Sequence, residues 1–595
     1  MRALYLVDEA LSEDPATLSR LRSLGEGDEA VVVPLSTLAS LSLRKEGIPF
    51  LRVEKLFPRE KWQALDSKAA ELSRRWHEHL SSETHLLRFH GVSIGQALEL
   101  DFYFIFIDAV RSAEIASALL KDPFDTIYLP PIDAQSISET TYNICYDTLP
   151  SFVAHMAARK GIPVVTLGQG RNGSAKQYGF VVSCALFVKE NGLNLVSLML
   201  SPKKPRYVFS FFAQDGIFEN LSSSGGRALS IPPHGNMQTR ESRRHVERLL
   251  DYLRSDAVVS KLDEVTSHSG LPLWSILSPM LRVYLPKRLS SVTGLTLWTE
   301  FLMKRLEFDC CVSRDDVSPF RNPMCQVLKD DDVPIVVVQD GLRTNDLTGN
   351  YVMPKVGDVH AAWGEYYKKW HVDRGKQPEC QVITGFPRHD KLVKLPPVDR
   401  EAICRRFGLD PKRKVALIAT EWFQGSTTRY TAEMDEDYVR LALRSLKPHK
   451  DLQIVAKLHP YFQDKCGRIV SEIAEQEGVN LVIAKDSLWE LIQLSSFVIV
   501  YLSTVAVEAL IIGKPVIMVN LVDGRDITGL AQDGLAIDAY DEAGLNRAVR
   551  KCLSSPESCV APDGKRQELL LPFTGPLDGN SSKRVAKLIE SQLTR

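Results

Sequence analysis

The chain has no run approaching the roughly 20 apolar residues that cross a bilayer, so any membrane contact it makes is expected to be peripheral. Neither sign of charge dominates: 73 Lys and Arg stand against 74 Asp and Glu, which removes the global basic field of a nucleic-acid binder. Cysteine is sparse. The ten residues are scattered, with only Cys310 and Cys311 adjacent and no Cys-x-x-Cys pair. Neither a zinc site nor a disulfide framework is expected, and the usage suits a reducing cytoplasm. The opening Met1 to Val7 enters a strand pattern directly, without the apolar core and cleavage site of a secretory leader. P-loop spacing is missing as well, which argues against ordinary ATPase chemistry. What remains is the composition of a globular protein, 44% hydrophobic and 25% charged, in a chain of 595 residues too long for one core.

The apolar runs follow an α/β rhythm. Ala3 to Val7, Glu29 to Val33, Ile48 to Val53, Phe124 to Leu129 and Val164-Val165 read as strands, Trp62 to Leu80 as a helix, and Phe102 to Ile107 as strand or buried helix. Gly168-Gln169-Gly170-Arg171-Asn172-Gly173 matches a dinucleotide fingerprint. The next apolar run, Phe180 to Val188, leaves no room for the helix that should hold a pyrophosphate, so a glycine-rich turn is expected, with a substrate-contacting loop facing the cleft as the alternative. That run and Leu193 to Leu200 read as a hairpin across Glu190-Asn191-Gly192, and Ser222 to Arg240 as a loop. The rhythm resumes at Phe308 to Val312, with a helix around Pro323 to Lys329, then Val333 to Val338 and Gln381 to Thr384. After a Pro-rich, charged linker, Leu395 to Arg400, come Lys414 to Ile418, Leu452 to Ala456, Leu481 to Ile483, Phe497 to Val500 and Pro515 to Val519.

Two of these runs end in chemistry. Leu452 to Val455 hands over to Lys457-Leu458-His459-Pro460, and Phe497 to Tyr501 to Ser503-Thr504, with Glu508 one turn later and Gly513-Lys514-Pro515 beyond. Open α/β sheets bind ligands at this edge. A Ser-Thr pair opening a helix offers hydroxyls, unpaired backbone N–H groups and the positive end of the dipole, which together suit a phosphate. Glu508 is placed to reach ribose hydroxyls, so the order reads as a nucleotide donor site. Ser503 is equally suited to an ordinary N-cap, and His459-Pro460 to a structural turn.

Gly385-Phe386-Pro387-Arg388-His389-Asp390-Lys391-Leu392 with Lys-x-His-Pro resembles the motifs of CDP-glycerol glycerophosphotransferases and related surface-carbohydrate proteins. Gln339-Asp340-Gly341 with His459-Pro460 and Ser503-Thr504 is similar to the acidic-Gly, His-Pro and Ser/Thr motifs of bacterial sialyl-, polysialyl- and Kdo-transferases, which use CMP-ulosonic acids. Glycerophosphotransferases show His-Gly where this chain has Asp340-Gly341, which tilts the resemblance to the CMP-sugar group; Gln339 stands where that group has a first acidic residue.

The resemblance implies an α/β, GT-B fold of two Rossmann-like domains with parallel sheets facing a cleft. Residues 1–395 would form an acceptor domain with an insertion around 170–300, residues 396–575 a donor domain, and residues 576–595 a helix crossing back. It implies a glycosyltransferase moving a Kdo- or sialic/pseudaminic-type sugar from a CMP donor to a capsule or lipopolysaccharide glycan. Transfer of polyol phosphate from CDP-glycerol is the alternative, a non-catalytic scaffold a further one, and a sugar-nucleotide epimerase a weaker third.

Asp340 would act as general base or as nucleophile, and His459 would donate to the departing phosphate. Lys457, Pro460, Ser503, Thr504, Glu508, Gly425 and Ser426 would form the donor site, the last two within the loop Glu421 to Arg429. Gln339, Gly341 and Arg388 would contact substrate, although Arg388 is equally placed to pair with Asp390. No cofactor and no metal are expected: Asp330-Asp331-Asp332 and Asp435-Glu436-Asp437 do not lie at strand C-terminal ends and read as solvated charge. The expected partners are a nucleotide sugar and a glycan or lipid-linked glycan, not nucleic acid. Leu281 to Leu289 mixes basic and apolar residues, suiting either anionic lipid or a solvated helix face.

Overall fold

The computed structural model describes residues 2–23, 29–132, 148–168, 206–210, 216–221, 227–230, 235–345, 353–420, 432–460, 463–521 and 525–593. Most Val-, Ile- and Leu-rich runs become parallel strands covered on both faces, as continuous rather than alternating hydrophobicity requires, while Val164 and Val165 lie on an exposed edge strand. The first sheet has the order β2-β1-β5-β6, from β1 (Arg2–Val7), β2 (Glu29–Pro34), β5 (Thr126–Leu129) and β6 (Val164–Thr166). Between β2 and β5 lies a two-stranded hairpin, β3 (Arg88–Phe89) with β4 (Val92–Ser93).

The second sheet, β12-β11-β10-β9-β7-β8, is built from β7 (Arg206–Ser210), β8 (Arg227–Ser230), β9 (Glu307–Ser313), β10 (Ile335–Val338), β11 (Val359–Ala362) and β12 (Gln381–Ile383). The third, β15-β14-β13-β16-β17-β18, uses β13 (Lys414–Ala419), β14 (Leu452–Lys457), β15 (Val482–Ala484), β16 (Phe497–Val500), β17 (Val516–Val519) and β18 (Ile537–Ala539). Its order is the doubly wound Rossmann order, with the switch point between β13 and β16.

The second and third sheets are the GT-B pair. Residues 1–395 therefore carry two separate sheets rather than the single Rossmann-like domain expected, because β5 pairs with β1 and β6 while β9 pairs with β7 and β10. Ile48 to Val53 is not a strand; Pro49 has no N–H to give a ladder, and the segment ends in a short 3-10 turn, Val53–Lys55. Phe102 to Ile107 lies inside the helix Ile94–Leu119, whose Phe102 stacks on Trp274 at 5.7 Å. The expected loop from Ser222 contains β8, and β11 and β18 are additional strands. The expected hairpin of residues 180–200 and the Gly170–Gly173 turn lie outside the described residues.

Helix Leu273–Met303 turns Leu281, Tyr284, Leu285 and Leu289 into the core and leaves Arg282 and Lys287 at the surface. No helix among the described residues is long and apolar enough to cross a membrane. The first unit docks on the third domain through charge. Glu436, 1% exposed, accepts from Ser40 Oγ at 2.9 Å and pairs with Arg44 at 3.1 Å and Arg440 at 2.6 Å, while Asp437 pairs with Arg52. Glu436 and Asp437 are thus interface residues, not the solvated charge expected, whereas Asp330, Asp331 and Asp332 are exposed at the opposite edge from the cleft.

Candidate functional site

The C-terminal edges of the second and third sheets meet. A Cβ placed on Gly341, just past β10, would stand 4.0 Å from Thr504 Cγ2, just past β16. Beneath this junction Trp363, Tyr367 and Phe386 of the second domain share one apolar cluster with Val507, Leu510 and Phe573. The helix Ser581–Leu593 lies on the second sheet, with Val585, Leu588 and Ile589 against Val208, Val312 and Val336. Asp390 receives its first turn: Ser581 N and Ser582 N each donate at 2.8 Å and Ser582 Oγ at 2.7 Å.

On the second-domain side, Asp340 is 38% exposed by side chain and its Oδ2 lies 3.5 Å from Arg314 Nε at the end of β9. Arg343, three residues on, is buried, and burial pushes its guanidinium pKa down, with Asp340 the first opposing charge. Gln339 does not reach the cleft. It is 3% exposed, donates through Nε2 to Gly341 O at 2.9 Å, and accepts Trp363 N at 3.1 Å through Oε1. An amide does both and a carboxylate only the second, which explains why this position differs from the acidic pattern.

Arg388 pairs with Glu508 at 3.1 Å and not with Asp390, and its guanidinium lies 5.3 Å from the Trp489 ring centroid. Trp489 Nε1 donates to the other Glu508 oxygen at 3.1 Å. Both carboxylate oxygens of Glu508 are therefore engaged across the domain junction rather than presented to a ribose. Burial raises the Glu508 pKa and the Arg388 charge opposes it. His389, stacked edge-on with Trp363 and Phe386, is neutral, its pKa pushed down to about 3 by burial.

On the third-domain side, Lys457 closes β14 with its Nζ turned back onto Leu458 O at 2.7 Å, and burial lowers its pKa. Leu458 N donates to Ala484 O at 2.9 Å, which holds His459 and the exposed Pro460 at the sheet edge. Ser503 and Thr504 open the helix Val505–Ile512 two strands away in the sheet, roughly 10 Å at ordinary strand spacing. Thr504 makes no capping bond through its side chain, and Val505 N reaches Ser503 Oγ only at 3.4 Å. The N-terminal end of this helix, where the dipole is positive, thus lies at the cleft edge with Thr504 Cγ2 nearest Gly341.

Gly425 and Ser426 lie outside the described residues. The structure brings Asp340, Gly341, Thr504, Arg388 and Glu508 to one junction, sets Lys457 and His459 along the edge of the third sheet, and withdraws Gln339. Arg314 and Trp489 belong to the site and were not expected; Arg314 follows an apolar run just as Asp340 does, and that signal is sufficient to find it. Among the described residues no three His, Cys, Asp or Glu side chains group to hold a metal. A cavity of about 360 Å³ opens at the other edge of the third sheet, where Lys447 is committed to Glu477 O at 2.6 Å and Arg413 to Lys450 O at 2.7 Å.

Residues 367–525 match the family model of the CDP-Glycerol:Poly(glycerophosphate) glycerophosphotransferases. No curated protein sequence matches the chain. Similar solved structures include the S. aureus MnaA–UDP complex, at 16% identity over 66% of this chain and 97% of that one, with TM-score 0.42. The UDP-GlcNAc 2-epimerase of Neisseria meningitidis bound to UDP-GlcNAc shares 15% identity over 65% and 99%, TM-score 0.41. A glycosyltransferase from Rickettsia africae shares 13% over 66% and 99%, TM-score 0.36. At such values the likeness bears on neither substrate nor mechanism.

Proposed function

We propose that the protein is a transferase using a cytidine-nucleotide donor, and that the group moved is a polyol phosphate from a CDP-glycerol-type donor. The match over residues 367–525 carries this reading, because it takes in Arg388, His459, Ser503, Thr504 and Glu508 together. An acceptor hydroxyl would attack the phosphorus bearing the polyol, forming one P–O bond as the bond to the bridging oxygen breaks and CMP departs. Asp340 would take the hydroxyl proton. Ser503, Thr504, the helix N-terminus and His459 would stabilise charge on the departing phosphate. These groups supply the neutralisation themselves, so the reaction is proposed to run without a metal.

The second reading, transfer of a CMP-activated ulosonic acid, is favoured by one observation: Asp340, rather than histidine, stands at the cleft beside Arg314 and one residue from the Thr504 contact. In either case the acceptor would be a glycan or lipid-linked glycan, reached at the membrane surface where lipid-linked.

The test is nucleotide release from CDP-glycerol, CMP-Kdo, CMP-sialic acid, CMP-pseudaminic acid and UDP-sugars, with and without EDTA, for the wild type, Asp340→Ala and His459→Ala. Release of CMP from CDP-glycerol, lost in both variants and indifferent to EDTA, is expected. Release from a CMP-sugar alone would transfer the assignment to the second reading. Conversion of a UDP-sugar without release would mark an epimerase, and silence with every donor would count for a scaffold.

A further inference from the structure

The second sheet has its own switch point. β8 lies on one side of β7 and β9 to β12 on the other, so the crevice for a ligand falls outside the C-terminal ends of β7 and β9. The segment Arg314 to Arg321 leaves β9 at that place, and its first residue, Arg314, reaches Asp340.

This segment is held rigidly. Ser318 N donates to Asp315 Oδ1 at 2.9 Å, Arg321 pairs with Asp315, and Asn322 Nδ2 donates to Asp316 O at 2.7 Å. Asp316, fully buried, accepts Lys355 N at 2.9 Å and Gly357 N at 2.7 Å. On this support Phe320 is 43% exposed. The Arg288 guanidinium lies 5.0 Å from the Phe320 ring centroid, and Arg288 Nε is fixed 2.7 Å from the buried carboxylate of Asp101. A lone exposed apolar side chain on a surface is ordinary. A flat ring propped outward by an ion pair, on the rigid segment at the ligand edge, is not.

We infer that Phe320 is a stacking platform for a sugar ring of the acceptor, placed along the chain from the hydroxyl that Asp340 serves. This rests on the transferase reading and refines its acceptor. The C–H face of a pyranose lies against the electron-rich face of an aromatic ring, whereas a bare poly(glycerophosphate) offers no ring to stack. The acceptor is therefore a ring-containing glycan.

The experiment measures equilibrium binding, without donor, of wild type, Phe320→Tyr, Phe320→Leu and Phe320→Ala to immobilised hexose, hexosamine and ulosonic-acid oligosaccharides, to poly(glycerophosphate), and to anionic phosphatidylglycerol vesicles. Wild type and Phe320→Tyr should bind a ring-containing glycan, and Leu and Ala should bind it about tenfold more weakly at unchanged melting temperature. Leu separates stacking from simple apolar contact. Equal binding by all four proteins, binding of wild type to none of the oligosaccharides, or a loss confined to vesicles would overturn the inference. Scoring without donor keeps its failure distinct from failure of the transferase reading, which only nucleotide release decides.

Discussion

Replacing Gln339 by Glu should damage this protein in a pH-dependent way. Gln339 is buried between two fixed partners, a carbonyl that needs a donor and an N–H that needs an acceptor. A protonated Glu satisfies both; an ionised one sets a carboxylate against Gly341 O in a site with little water. Its pKa in the fold is therefore raised above the unfolded value of about 4.3, so stability is intact below that value and is lost as pH rises towards the folded pKa. Each unit is worth about 1.36 kcal/mol, and a folded pKa at or above 7 gives a deficit of about 3.7 kcal/mol at pH 7. Urea denaturation of Gln339→Glu and wild type between pH 4.5 and 8 reads this directly. Near-equality at pH 4.5 and a gap that widens with pH are expected, with nucleotide release failing in parallel because the Asp340-Gly341 turn is tied to the same brace. A gap constant across pH, or none at pH 7, would refute the bifunctional-amide argument.

Asp390→Ala should uncap the helix Ser581–Leu593 and cost about 1–2 kcal/mol, seen as faster amide hydrogen exchange confined to that helix and the face of the second sheet it covers. Glu436→Ala removes the carboxylate that holds Ser40 and Arg44 across the interface, while Arg440 keeps Glu477, and should loosen the first unit from the third domain by about 1–2 kcal/mol; limited proteolysis releasing the first unit checks it, and an unchanged digest counts against it. His360, His371 and His389 have pKa values lowered by burial to about 4, 3 and 3. Depressed histidines contribute stability above an unfolded pKa of about 6.5 that is lost as pH falls towards the folded values, about 2 kcal/mol per ring at pH 5. Acid unfolding monitored by tryptophan fluorescence should begin below pH 6 and be blunted in His389→Gln.

The strand pattern was legible where strands are covered on both faces. β10, β16 and β17 are unbroken apolar runs, and Lys457-Leu458-His459-Pro460 and Ser503-Thr504 end two strands of the third domain as their spacing predicts. β11 escaped because His360 interrupts its apolar run, and Ile48 to Val53 misled because, although Leu51 N bonds Val32 O of β2, Pro49 has no N–H with which to extend the pairing. Site residues were legible as strand-end positions, which local periodicity reports. Their partners were not: Arg388 turned to Glu508 in another domain, while Asp390, two residues on, turned to the C-terminal helix.

By itself the sequence determined the alternation of parallel strands and helices, the placing of His459, Ser503 and Thr504 just past strand ends, and the want of long apolar spans, because each follows from residues near one another in the chain. Only the tertiary structure decided that residues 1–395 make two sheets, that Gln339 is a brace and Glu436 an interface residue, and that Gly341 meets Thr504. Those outcomes depend on which strand pairs with which and on whether a polar side chain finds its partner in a distant segment, and the free energy of burial is settled there.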